Sequence, residues 1–341
     1  MSLKVNIYEC DSTETTNERK VIGGNPNTDL DLNNIKYKWA YNLYNVMLEN
    51  TWFPKEVNMT DDIAGYKALS TQEKIAYDKA LSQIVFMDTL QTKNVTANVA
   101  PYITAPEITV CTARLAFEES LHSVSYAVLI DTISENSDEI YQMFRTDPML
   151  RAKNDYIAKV YNDLSNDVTP DRLVLSFVAN QALEGIYFQS AFSLFFALAD
   201  NGKMLATGKM IKFISRDEDT HLTLFQNMIN SVRRHSPELF TEEFIKKMRE
   251  ILISASIQEK AWGRHILGDG IFGLTPAIND AYIEYLCDKR LKAIKLEPEF
   301  NVEVNPLKHL EVQVEKNGTK TALFESKNSD YSAAGLDMTD Y

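Results

Sequence analysis

The sequence has little of what most fold classes need. With 12 glycines and 10 prolines in 341 residues, it lacks the turn chemistry of a protein built from many short strands. Its apolar positions recur at intervals of three and four, the period of packed helices. Cysteine is nearly absent. Cys10, Cys111 and Cys287 are odd in number, widely spaced and without a CxxC pair, which argues against a disulfide scaffold or a thiolate metal site and suits a reducing, cytoplasmic setting. Basic residues are outnumbered, 35 Lys and Arg against 48 Asp and Glu, and the net charge of −13 repels phosphate, so no nucleic-acid partner is expected. The opening MSLKVNIYECDSTETTNERK holds no apolar run of signal-peptide length. One stretch, LVLSFVANQALEGIYFQSAFSLFFALA, is long enough to cross a bilayer, but Asn180, Gln181, Glu184 and Gln189 would be costly in lipid. A buried core helix, and no membrane, is the expectation.

Helix signals divide the chain. Residues 1–30 read as a polar, loose extension, and Asp31 to Asn50 as a first helix carrying Ile35, Trp39, Ala40, Leu43 and Met47. Ser70 with Glu73 is a capping-box pattern opening a long helix towards Pro101; Thr104 with Glu107, and Pro106 between them, predicts the same for a helix to about Ser134. Shorter helices fill Ser137 to Leu164. Thr169-Pro170 starts the most apolar helix, which Asn201-Gly202 stops, and Met204 to Arg234, Thr241 to Leu267 and Pro276 to Leu291 supply three more. The helical domain thus spans 31–294, and 295–341 is expected to be a disordered acidic tail without a core face. No solenoid repeat is present.

Two of the five histidines follow a glutamate by three residues in mid-helix: Glu119-Ser-Leu-His122 and Glu218-Asp-Thr-His221. Residues three apart share a helical face, so each pair presents one carboxylate and one imidazole inward, as helical bundles that hold two metals require. One such pattern arises easily by chance, but two on long helices are harder to dismiss. The bundle scheme demands one more acid from each of two other helices, and Asp88 in SQIVFMDTLQ and Glu184 in NQALEGIYF sit where an unpaired carboxylate is rarely tolerated. Asp88, Glu119, Glu184 and Glu218 sum to −4, which two divalent cations neutralise. Oxygen-rich ligands with one His per metal suit iron or manganese, or a mixed pair, better than zinc, and open positions would admit dioxygen.

Tyr126 follows His122 by four residues and so shares its face. Phe188 and Phe192 follow Glu184 by four and eight residues, and Ile214 precedes Glu218 by four; together they would wall the phenol off from water and reductants, as a lasting phenoxyl radical needs. Such apolar stripes are also ordinary core, so the wall permits a radical without requiring one.

With SQIVFMDTLQ, AFEESLHSVSY, NQALEGIYFQSAF and FISRDEDTHL in this order, the chain closely resembles the small, radical-generating subunit of aerobic (class I) ribonucleotide reductase, from about Ile35 to Leu291 and again in the tail. The resemblance implies an all-α, ferritin-like helical bundle with additional helices. It implies that Asp88, Glu119 and His122 hold one metal, most simply iron, and Glu184, Glu218 and His221 the other. Tyr126 matches the family's radical tyrosine, and Trp52 in TWFPKEV and Asp217 beside Glu218 match the start of its radical relay. Asp217 is expected to orient His122 or a nearby indole. In the tail, Tyr331, with Glu325 six residues earlier, matches the relay's last member in this subunit, and the stretch after it would dock on a large catalytic subunit. Homodimerisation follows from the same resemblance. Two departures stand out: Glu118 precedes Glu119, and 297–323 does not align with better-known members. The residues after His221 resemble iron-using members.

Three functions compete on these residues. A reductase subunit would use dioxygen at the dimetal site to oxidise Tyr126 and lend the radical to the large subunit for reduction of ribonucleotides. A stand-alone dimetal oxidase, desaturase or ferroxidase would need neither Tyr126 nor Tyr331. A purely structural helical protein would leave four inward acids unexplained. The first accounts for most.

Overall fold

The computed structural model describes residues 3–6, 14–26, 29–134 and 137–310. Among them lie eleven α-helices and no strand: α1 (Lys38–Glu49), α2 (Thr60–Lys67), α3 (Thr71–Lys93), α4 (Pro106–Ile133), α5 (Ser137–Thr146), α6 (Pro148–Asn166), α7 (Pro170–Ala182), α8 (Gln189–Asp200), α9 (Leu205–His235), α10 (Glu242–Leu267) and α11 (Pro276–Ala293). Four of them close a ring. α3 packs on α4, α4 on α9, α9 on α7 and its continuation α8, and α8 back on α3. The apolar faces of these helices meet in one core that includes Ile84, Met87, Tyr126, Phe177, Phe188, Ile214 and Phe225, all fully buried. α1, α10 and α11 pack around this ring, α10 against both α3 and α7.

Local chemistry explains several helix ends. The Ser70 hydroxyl accepts the amide of Glu73 at 3.3 Å, and the Glu73 carboxylate accepts the amide of Ser70 at 2.6 Å, so the anticipated capping box opens α3. The second anticipated box does not form. Ala105 is the N-cap of α4; the Thr104 hydroxyl donates to the Lys20 carbonyl at 2.7 Å, and Glu107 accepts the amides of Lys36 and Tyr37 at 2.9 and 2.6 Å. A tertiary partner outbid the local one, and Glu107 caps α1 instead of its own helix. α1 starts at Lys38 and not near Asp31 because the Asp31 carboxylate is taken locally, by the Asn33 amide at 3.0 Å and the Asn34 side chain at 2.6 Å, in a turn.

Both ends of the helical body reach further than expected. Val21 and Ile22 are buried, and the Thr104 amide donates to the Val21 carbonyl at 3.0 Å, so this part of the extension is packed and not loose. After α11 the Asp288 carboxylate accepts the amides of Glu299, Phe300 and Val302 at 2.7, 3.0 and 2.8 Å, and Leu307 and Leu310 are buried. One buried carboxylate therefore holds on the body a segment whose sequence lacks helical periodicity. Glu325, Tyr331 and the stretch after it lie outside the described residues.

The long apolar helix is buried over 94% of its most apolar window, and it is not one continuous α-helix. Leu183–Phe188 form a π turn between α7 and α8. That wider turn carries Glu184 and Gly185. A Cβ at Gly185 would come within 2.6 Å of the Arg290 side chain, so glycine is what lets α11 approach this turn. The carbonyl of Tyr187 is taken up by the Gln83 amide at 2.9 Å from α3.

Candidate metal centre

The ring of helices brings the predicted side chains to one place. Asp88 comes from α3, Glu119, His122 and Tyr126 from α4, Glu184 from the π turn, and Glu218 and His221 from α9, and all seven are fully buried. Both imidazoles point Nδ1 into the carboxylates. Nδ1 of His122 lies 3.1 Å from Glu218 Oε1 and 3.9 Å from Asp88 Oδ2. Nδ1 of His221 lies 3.0 Å from Glu218 Oε2, 3.3 Å from Glu119 Oε1 and 3.8 Å from Glu184 Oε1.

The ligand atoms fall into two overlapping groups. Ligand atoms of Asp88, His122 and Glu218 lie within 4.8 Å of one another, as do those of Glu119, Glu184, Glu218 and His221. Glu218 thus belongs to both groups, one oxygen to each, and Glu119 sits with His221 although it shares a helical turn with His122. A carboxylate has two oxygens and can face two positions at once; helix spacing alone does not reveal which acid does so.

The residues fit a pair of cations. Both oxygens of Asp88, Glu119 and Glu184, together with Oε1 of Glu218, have no hydrogen-bond partner of standard geometry. Each unsatisfied buried acceptor costs roughly 1–3 kcal/mol, more when charged, so an interior holding seven of them is unfavourable unless cations occupy their centre. Protons can substitute only in part. Burial, then the charges of Glu119 and Glu218, pushes Asp88 well above the usual carboxylate range, and burial and Glu218 push Glu184 up likewise. Burial also opposes charge on Glu218, but His221 and His122 outweigh it and hold this acid at about 2. Oxygen donors with one imidazole per group form a hard ligand set.

Each imidazole has an acid on its far side. His122 Nε2 lies 3.2 Å from Asp217 Oδ2, and the same oxygen accepts the Trp52 indole N–H at 2.7 Å. Trp52 is buried just beyond α1 and stacks on Phe213 with ring centroids 5.1 Å apart. Asp217 therefore meets both the imidazole and the indole. His221 Nε2 lies 3.0 Å from Oε2 of Glu118, a role the sequence reading did not assign; its signal was a second acid beside Glu119 on a buried helix. Burial, then the negative charges of Asp88 and Glu218, holds the Tyr126 phenol far above its ordinary pKa, so it keeps its proton. Phe188 and Phe192 pack on each other with centroids 5.8 Å apart, and they and Ile214 are fully buried in the same core.

Known proteins similar to this chain are numerous. Residues 29–306 match the family model described as ribonucleotide reductase, small chain. Ribonucleoside-diphosphate reductase subunit beta of Treponema pallidum is 37% identical over 329 residues, covering 95% of this chain and 93% of that protein. The solved R2 subunit of ribonucleotide reductase from Clostridium botulinum matches with a TM-score of 0.86 at 35% identity, over 91% of this chain and 98% of that one. Streptococcus sanguinis dimanganese(II)-NrdF, 20% identical with a TM-score of 0.74 over 84% of this chain and 99% of that one, shares the fold.

Proposed function

Because this chain belongs to the family of ribonucleotide reductase small chains, we propose that it is the radical-storing beta subunit of a ribonucleoside-diphosphate reductase. The observation that carries this reading is the cluster of seven buried carboxylate oxygens that lack a hydrogen bond of standard geometry, set around two inward imidazoles. Asp88, His122 and Glu218 would hold one metal ion, and Glu119, Glu184, Glu218 and His221 the other. When bound, a pair of iron ions, or a manganese or mixed pair, supplies the redox chemistry that couples dioxygen reduction to one-electron oxidation of Tyr126.

The chain's own residues do the rest. Tyr126 would give up its electron and its phenolic proton to the dioxygen reduced beside it, in a core that excludes bulk water, with Phe188, Phe192 and Ile214 as the apolar surround. Asp217 keeps Nε2 of His122 protonated and the Trp52 indole aligned, so Trp52 is the first stop for an electron travelling between this site and the large subunit. Tyr331 is the next. The residues after it, SAAGLDMTDY, mix Leu336 and Met338 with acids and suit a peptide that orders in a groove of the large subunit. Two copies of the chain form the working subunit.

The test is aerobic reconstitution with iron and, separately, manganese, with metal counting and electron paramagnetic resonance. About two ions per chain and a tyrosyl signal are expected; Tyr126→Phe should keep the ions and lose the signal. A signal that persists in Tyr126→Phe would place the radical elsewhere. Deleting Ala333 to Tyr341 should abolish large-subunit binding and leave the radical intact, and undiminished affinity would remove the tail from docking.

A further inference from the structure

We propose that Glu118 is a positioning residue that holds His221 for its metal ion and, through Arg114, ties that half of the site to the loop carrying Trp52. This inference rests on the dimetal reading above. Nothing in the helical spacing of the ligands requires Glu118. Its Oε2 lies 3.0 Å from His221 Nε2, and its Oε1 accepts Arg114 Nε at 2.9 Å. Arg114 then donates from Nη2 to the Thr51 hydroxyl at 3.0 Å, and that hydroxyl donates to the Leu48 carbonyl at 2.7 Å.

The other half of the site is built alike. His122 rests on Asp217, Asp217 on the Trp52 indole, and Arg216, 3.8 Å from Asp217, donates to the Asn50 carbonyl. Three successive residues, Asn50, Thr51 and Trp52, are therefore gripped from the outer acids of both histidines. Each outer acid has an arginine of its own, so neither adds to the −4 that the two cations would neutralise.

An Arg and a Glu four residues apart on a helix are often a surface pair of little consequence. Burial separates this one from that class. The Lys159–Asp163 pair at the same spacing has side chains 73% and 49% exposed, whereas the Glu118 side chain is 1% exposed. A carboxylate withdrawn from water beside four other acids is favourable only where it serves a cation or a polarised imidazole. Such an acid makes Nε2 the protonated nitrogen and leaves Nδ1 free to ligate.

The experiment is anaerobic titration of metal-free chain with Mn(II), followed by calorimetry and by the paramagnetic signal of free ion, on wild type, Glu118→Gln and Arg114→Gln. Wild type should take up two ions. Glu118→Gln should weaken one of them about 10- to 100-fold and leave the other within about twofold. Arg114→Gln, which leaves the carboxylate in place, should weaken the same ion less, and amide exchange at Thr51 and Trp52 should no longer slow on metal loading. Two ions bound by Glu118→Gln with unchanged affinity, equal weakening of both ions, or a variant that no longer folds while Arg114→Gln binds as wild type would overturn the proposal. Wild type that binds no Mn(II) or Fe(II) would instead overturn the dimetal reading itself.

Discussion

α3 contributes a side chain to each of two buried charge clusters, Gln83 to one and Asp88 to the other, and they are opposites. In the first, Lys153 of α6 pairs with Glu259 of α10, both nearly inaccessible, with the ammonium over the rings of Tyr187 at 4.6 Å and Trp262 at 5.1 Å. Gln83 adds a long contact of 3.5 Å to Glu259 and takes the Tyr187 carbonyl. One cation meets one anion. In the second, four acids, Asp88, Glu119, Glu184 and Glu218, meet only two imidazoles, and most of their oxygens have no hydrogen bond of standard geometry. A buried charge with its counter-ion already in the chain is structure; a set of buried charges without one marks where something else binds. The two clusters even share a neighbour, since Gln83 braces the π turn that carries Glu184.

Substitution in the open cluster should produce the largest effect. Because Glu218 faces both groups, Glu218→Ala should abolish tight uptake of both ions, and the stabilisation that metal loading gives the wild type should vanish from thermal melts. Two tightly bound ions in that variant would break the ligand assignment. In the closed cluster, Lys153→Met leaves Glu259 buried and unpaired and should cost about 3–5 kcal/mol in denaturant melts, while Lys153→Met with Glu259→Leu should recover most of it. A double variant as unstable as the single one would show that the pair is more than self-compensating structure.

The smallest effect is one of pH. Burial, partly offset by Glu259, pushes Lys153 down to about 8 from its ordinary 10.5. Between these values the unfolded chain binds more protons than the folded one, so this lysine makes stability rise with pH across that window. The slope of stability from about pH 8 to 10.5 should therefore be more positive in wild type than in the double variant. Equal slopes, measured by denaturant melts across that range, would mean that Lys153 titrates as an exposed lysine does.

The ends of many helices were legible because their signals are local. Ser70 and Glu73 close their box, Pro106 and Pro276 stand at the first helical position, and Gly202 adopts φ +73° where α8 stops. Glu107 was misread because its carboxylate had a better partner on another element, and no sequence window contains both. The packing of residues 297–310 was not legible for a related reason: Asp288 holds Glu299, Phe300 and Val302 through their backbone amides, which have no signature in side-chain periodicity.

By itself the sequence determined most of the helices, the inward face of each ExxH pair and the presence of acids among apolar neighbours. These follow from a 3.6-residue period and from the price of burying charge, and both can be read along one chain. Only the tertiary structure decided that Glu218 faces both groups, that Asp217 stands between His122 and Trp52, and that Glu118 backs His221. Those relations join α4 to α9, and α9 to the loop after α1. They depend on how helices cross, at distances of a few ångströms that residues about a hundred or more positions apart in sequence cannot encode in any local pattern.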